Sequence, residues 1–72
     1  MKVTYIDGGF VVNATGERLA FYIRPLDGKQ CRGMDARGLW CLFTLPNGKA
    51  VKVYKSDIVN YSNSAHLAFL NV

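Results

Sequence analysis

Two cysteines, one histidine and five carboxylates are the residues here best equipped for making and breaking bonds. Their spacing does not assemble them. General acid–base work needs paired carboxylates or a histidine with an orienting partner. Glu17 falls in a turn, and Asp27 and Asp35 lie in a glycine-rich stretch and read as turn formers. His66 sits in an apolar tail, where a packed imidazole is the plainer reading. Two cysteines and one histidine fall short of a zinc site, which needs three or four ligands at close spacing. Cys41 falls on a predicted core face and reads as a small hydrophobe. Cys31 lies among basic residues, a setting in which thiols become reactive. Gly28, Gly33 and Gly38 follow no phosphate-loop spacing, and no strand-to-helix transition follows them. The expectation is a protein that is not an enzyme, carries no cofactor or metal, and acts by binding.

The residues suited to binding are Trp40, Tyr54 and Lys52, with Arg24, Lys29, Arg32 and Arg37 nearby in sequence. Flat aromatic rings beside cations can stack nucleic-acid bases and hold phosphates. The same residue types dominate protein hot spots. The competing reading is that Trp40, the single tryptophan of a small chain, is core. Arg32 and Arg37 are expected to make contacts, because no acidic run is available to neutralise them and guanidinium geometry suits recognition. Solvated loop charge is the plainer alternative.

The elements that position these residues follow from turn signals recurring every ten residues or so, the spacing of an all-β meander or small barrel. Val3–Ile6 is the first strand, Asp7-Gly8-Gly9 a tight turn, Phe10–Val12 the second strand, and Asn13–Gly16 another turn. Arg18–Arg24 reads as the third strand, ended by Pro25. Residues 26–38 read as one long polar loop. Leu39–Leu45 and Lys49–Lys55 flank Pro46-Asn47-Gly48, which fits a type I turn closed by a glycine bulge. That turn pairs Phe43 with Val51 and Cys41 with Val53, giving a core face. It sets Trp40 opposite Tyr54 and Leu42 opposite Lys52 on the other face. A two-residue turn on Asn47-Gly48 would slip the register and mix the faces. Ser56–Val59 reads as a single helical turn capped by Ser56. Residues 62–72 are readable as a last strand or a short helix.

The chain has 72 residues, which bury only about 60% of the surface exposed by the unfolded form. Half of them are apolar, as a folded core requires. One domain over residues 1–72 is expected, mostly β: a small antiparallel meander or SH3-like partly open barrel of about five strands, with a short helical turn near the C-terminus. Met1-Lys2 leads directly into strand-like sequence and no run is long enough to span a membrane. A cytoplasmic monomer with reduced thiols is therefore expected, although one Cys31–Cys41 disulfide is compatible with the spacing. The net charge is +4, and its excess sits in one central stretch. There Arg24, Lys29, Arg32, Arg37, Lys49, Lys52 and Lys55 face only Asp27 and Asp35. Such a stretch attracts an acidic partner, either nucleic acid or an acidic protein surface.

With the Leu39–Lys55 hairpin and the basic residues ahead of it in view, the chain resembles the small RNA polymerase-binding regulators of bacteriophages, in particular that of a Xanthomonas phage. The likeness is one of size and character over the whole chain and brings no binding residues with it. It implies a protein partner, the β′ subunit of bacterial RNA polymerase. It also implies inhibition of initiation and promotion of antitermination by steric or conformational interference, without chemistry. The alternative is an SH3-like or OB-like barrel that binds nucleic acid directly.

Overall fold

The computed structural model describes residues 1–60. The expectations for His66 and for residues 62–72 lie outside the described residues. The strands are β1 (Val3–Ile6), β2 (Gly9–Val12), β3 (Arg18–Phe21), β4 (Arg32–Asp35), β5 (Gly38–Thr44), β6 (Ala50–Tyr54) and β7 (Ile58–Val59). They form one curled, open half-barrel sheet, mostly β as the turn spacing predicts. Every pairing is antiparallel except β1 with β7, which run parallel. Among the described residues no helix is long and apolar enough to cross a membrane.

The long strand β5 organises the sheet. One of its edges pairs along its length with β6. The other edge is shared, with β4 along residues 38–41 and β3 at residues 43–44. The two partners meet at Leu42, whose N–H donates to the Cys31 carbonyl (2.9 Å) and whose carbonyl accepts from the Tyr22 N–H (3.1 Å). Beyond that junction Tyr22 and Cys31 pair with each other, followed by Ile23 with Gln30. Residues 22–31 are thus a hairpin that leaves the sheet where β3 and β4 separate.

The turn after β5 forms as its proline and glycine dictate. The Gly48 N–H donates to the Leu45 carbonyl at 2.8 Å, and Gly48 takes φ +89°, the left-handed conformation that closes a glycine bulge. The resulting register pairs Phe43 with Val51, Cys41 with Val53, Leu42 with Lys52 and Trp40 with Tyr54, as the turn chemistry predicts. Alternation then sends Cys41, Phe43 and Val53 inward, all fully buried, where they join Val3, Phe10, Val12, Leu19 and Ile58. Phe43 is the centre of this core. Its ring lies 5.0 Å from that of Phe10 and stacks at 5.4 Å on that of Phe21.

Four expectations are corrected. The loop expected over 26–38 contains β4, because Asp35 to Gly38 makes a second tight turn. In that turn the Asp35 carboxylate accepts from the Arg37 N–H at 2.9 Å. The third strand stops at Phe21, where β3 leaves β5 for the projecting hairpin. The helical turn is a 3-10 turn over Lys55–Asp57 with no side-chain cap, so Ser56 caps nothing. Ile58–Val59, expected in that helical turn, instead forms the parallel strand against β1. These additions give seven short strands in place of about five.

Candidate partner-binding surface

Alternation along β5 turns Trp40 and Leu42 away from the core. The register aligns Gly33, Trp40 and Tyr54 in a row across β4, β5 and β6. Trp40 is half-buried on this outer face, neither core nor free ring. Its indole rests on the backbone of Gly33, where a Cβ would meet the ring carbon Cζ2 at 2.6 Å. A glycine opposite an aromatic on a neighbouring strand gives the ring a flat seat that any side chain would occupy. Lys52, beside them on β6, holds its ammonium 4.6 Å from the Trp40 ring centroid and 5.9 Å from that of Tyr54. The Arg37 guanidinium reaches back from the β4–β5 turn to lie 4.2 Å from the centre of the Tyr54 ring. Contacts of this kind are worth about 0.5–1 kcal/mol each at exposed positions.

Asp35 ties the cluster together. One carboxylate oxygen closes the β4–β5 turn; the other accepts the Tyr54 hydroxyl at 2.6 Å and lies 3.8 Å from the Lys52 ammonium. The hydrogen bonds from Tyr54 and then from the Arg37 N–H hold the Asp35 carboxyl below its ordinary range. The same Tyr54–Asp35 bond pushes the Tyr54 phenol above its ordinary value. Both shifts move away from neutrality, the opposite of what a working acid–base pair needs. Asp57, at the end of the 3-10 turn, stands 3.7 Å from Arg37. The sequence reading missed Asp35 and Asp57 as partners of this cluster. An Asp two residues before Arg37, followed by Gly38, is the signal that would have closed the turn and located Asp35.

The expected single basic surface is not what forms. Arg37, Trp40, Lys52 and Tyr54 come together on the outer face, with Asp35 beside Lys52 and Asp57 shared between Arg37 and the Met1 ammonium. Arg37 was expected to lack an acidic neighbour and has one. Arg32 pairs with Cys41 in the register and so projects from the opposite face to Trp40. Arg24 and Lys29 belong to the projecting hairpin, where Arg24 forks onto Asp27 with contacts of 2.6 and 3.1 Å. Arg24, Lys29 and Arg32 line an open cleft of about 570 Å³ together with Gln30.

Both cysteines are free thiols. Cys41 is buried in the core, and Cys31 is half-buried at the junction where residues 22–31 leave the sheet. Burial pushes the Cys41 thiol up to about 11. Among the described residues no group of three or more metal-ligating side chains gathers. No protein-family model, no curated protein and no solved structure matches this chain, so the chemistry of the surface rests on its own geometry.

Proposed function

We propose that this chain is a small regulator that binds bacterial RNA polymerase and alters transcription without catalysis, using the Trp40–Tyr54 face as its contact. The whole-chain resemblance to phage polymerase-binding regulators supplies the partner. The observation that supports the site is the row of Trp40 and Tyr54 with Arg37 and Lys52 laid against the rings. These are the residue types that carry most binding energy at protein interfaces. The side chains are already placed by Gly33, Asp35 and Asp57, so binding loses little further freedom on their account. Because Asp35 and Asp57 offset most of the positive charge here, this face suits a protein surface with an apolar centre better than a run of phosphates.

The test is direct binding of the immobilised protein to nuclease-treated, purified RNA polymerase, with the Xanthomonas enzyme as first choice. Micromolar or tighter binding that weakens at least tenfold in Trp40→Ala is expected. An unaltered circular dichroism spectrum of that variant would show that the fold is kept. No binding, or equal binding by the variant, refutes the proposal.

A further inference from the structure

We infer that the open end of the half-barrel is a docking groove for the chain's own residues 61–72, which lie back across it. The inference goes beyond the polymerase reading and does not rest on it. The inner face of the sheet carries two rows of apolar side chains toward this end. Tyr5, Phe10 and Leu19 pair across β1, β2 and β3, and Val51, Phe43 and Phe21 pair across β6, β5 and β3. Their rings are continuous, with Tyr5 5.1 Å from Phe10 and Phe10 6.1 Å from Phe21 between centroids. The members at the rim are incompletely covered. Tyr5, Val51 and the nearby Leu45 are half-buried against the core, and Phe21 is 38% exposed although it shares the inner face with Phe43.

The chain leaves the sheet at this same end. β7 runs parallel to β1 with Ile58 beside Val3 and Val59 beside Thr4, so the next position in the register falls beside Tyr5. A strand continued there would extend the row of Tyr5, Phe10 and Leu19 by one more side chain. Asn60 instead takes φ +61°, a left-handed conformation that ends the strand. The gap beside Tyr5 is therefore also the point from which residues 61–72 set out.

Composition and tether select this segment over other occupants. Residues 61–72 contain no Lys, Arg, Asp or Glu, and they include Tyr61, Leu67, Phe69, Leu70 and Val72. They can cover an aromatic surface without taking a charged side chain out of water. A segment of this length reaches at most about 40 Å when extended. The longest dimension of the molecule is 30 Å, so every point of the rim lies within that reach. Tethered beside Tyr5, the segment meets the groove at an effective concentration on the order of millimolar. A second copy of the chain in dilute solution does not match that.

The experiment is NMR of the full chain with labelled methyl groups and aromatic rings. Nuclear Overhauser contacts are expected from the methyl groups of Leu67, Leu70 or Val72 to the rings of Tyr5 and Phe21. The absence of any contact from residues 61–72 to Tyr5, Phe21, Leu45 or Val51 overturns the inference. A sample mixing labelled with unlabelled chain separates contacts within a molecule from contacts between molecules. Contacts that cross between molecules would mean that a second copy covers the rim, and also overturn it. Phe69→Asp with Leu70→Asp should lift the segment from the groove. The ring signals of Tyr5 and Phe21 should then shift, and Tm should fall by about 4–8 °C, the drop that loss of one modest contact causes in a chain this short. Trp40 lies on the opposite face of β5, so its emission should stay as in the wild type. A double variant with unchanged Tm and unchanged Tyr5 and Phe21 signals refutes the docking. Loss of polymerase binding in Trp40→Ala with these contacts intact bears only on the polymerase face, so the two readings fail separately.

Discussion

Replacing Gly33 by alanine isolates the seat of Trp40. An alanine Cβ would stand 2.6 Å from Cζ2 and 3.0 Å from Cε2 of the indole. Ordinary contact begins near 3.4 Å, so the ring must move by most of an ångström. Lys52 lies over the ring and Tyr54 pairs beside it, so the shift disturbs the whole row. Overpacking of this sort costs about 1–3 kcal/mol. Alanine in place of glycine in a strand returns about 0.5–1 kcal/mol through reduced backbone entropy. The net is a loss of about 1 kcal/mol, which for a chain of this length lowers Tm by about 4–8 °C. Trp40 is the single tryptophan, so its emission reports the displacement with no other indole in the background. A red-shifted maximum, a lower Tm and weaker polymerase binding are expected together. A Gly33→Ala protein with raised Tm and unchanged emission would show that the indole does not lie on that glycine, and the argument for a prearranged surface would fail with it.

Three further outcomes are expected. Phe43→Ala should cost about 3–5 kcal/mol in urea unfolding, because a fully buried ring packed against Phe10 and stacked on Phe21 leaves a cavity; a loss under 1 kcal/mol would contradict its central place. In native protein at pH 8, a thiol reagent should modify Cys31 far faster than Cys41, whose thiol is pushed to about 11 by burial; equal rates would mean that Cys41 is not held in the core. The Tyr54 phenol, followed by tyrosine ring-carbon NMR, should titrate above its ordinary value and fall back in Asp35→Asn. Its contribution to stability is present below the unfolded tyrosine value and is lost as pH climbs through the raised one. Asp35, held low, contributes above the ordinary carboxylate range and loses that contribution on acidification. A Tyr54 midpoint that does not move in Asp35→Asn would refute the hydrogen bond.

The β5–β6 hairpin was legible because its information is local. Pro46 and Gly48 fix the turn, the turn fixes the register, and period-two alternation fixes which face is core. The β4 strand was hidden because Arg32-Gly33-Met34-Asp35 carries no alternating apolar pattern. Its face toward Trp40 offers a glycine and a charge, and its other face Arg32 and a largely exposed Met34. What makes it a strand is pairing with β5, a contact that no window of sequence contains. For the same reason Gly33 read as part of a long polar loop, when it is the seat of the tryptophan. The parallel pair of Ile58 and Val59 with β1 joins residues more than fifty positions apart and left no local trace.

Charge clustering in sequence proved a poor guide to charge clustering in space, for a geometric reason. A strand sends neighbours to opposite faces, so a basic stretch laid into a sheet is dealt out to both sides. Arg32 goes with Cys41, while Asp35 goes with Trp40 and Tyr54. In the hairpin of residues 22–31 Arg24 and Lys29 share Asp27, and Lys49 stands in the β5–β6 turn, so the excess positive charge is spread around the molecule. A contact centred on the rings of Trp40 and Tyr54 should therefore depend little on salt. Raising KCl from 50 to 200 mM should cost a contact centred on Trp40 little and reduce two or three phosphate contacts by about tenfold or more. A steep salt dependence of polymerase binding would mean that the face is recognised as charge, against the role assigned to its aromatic rings.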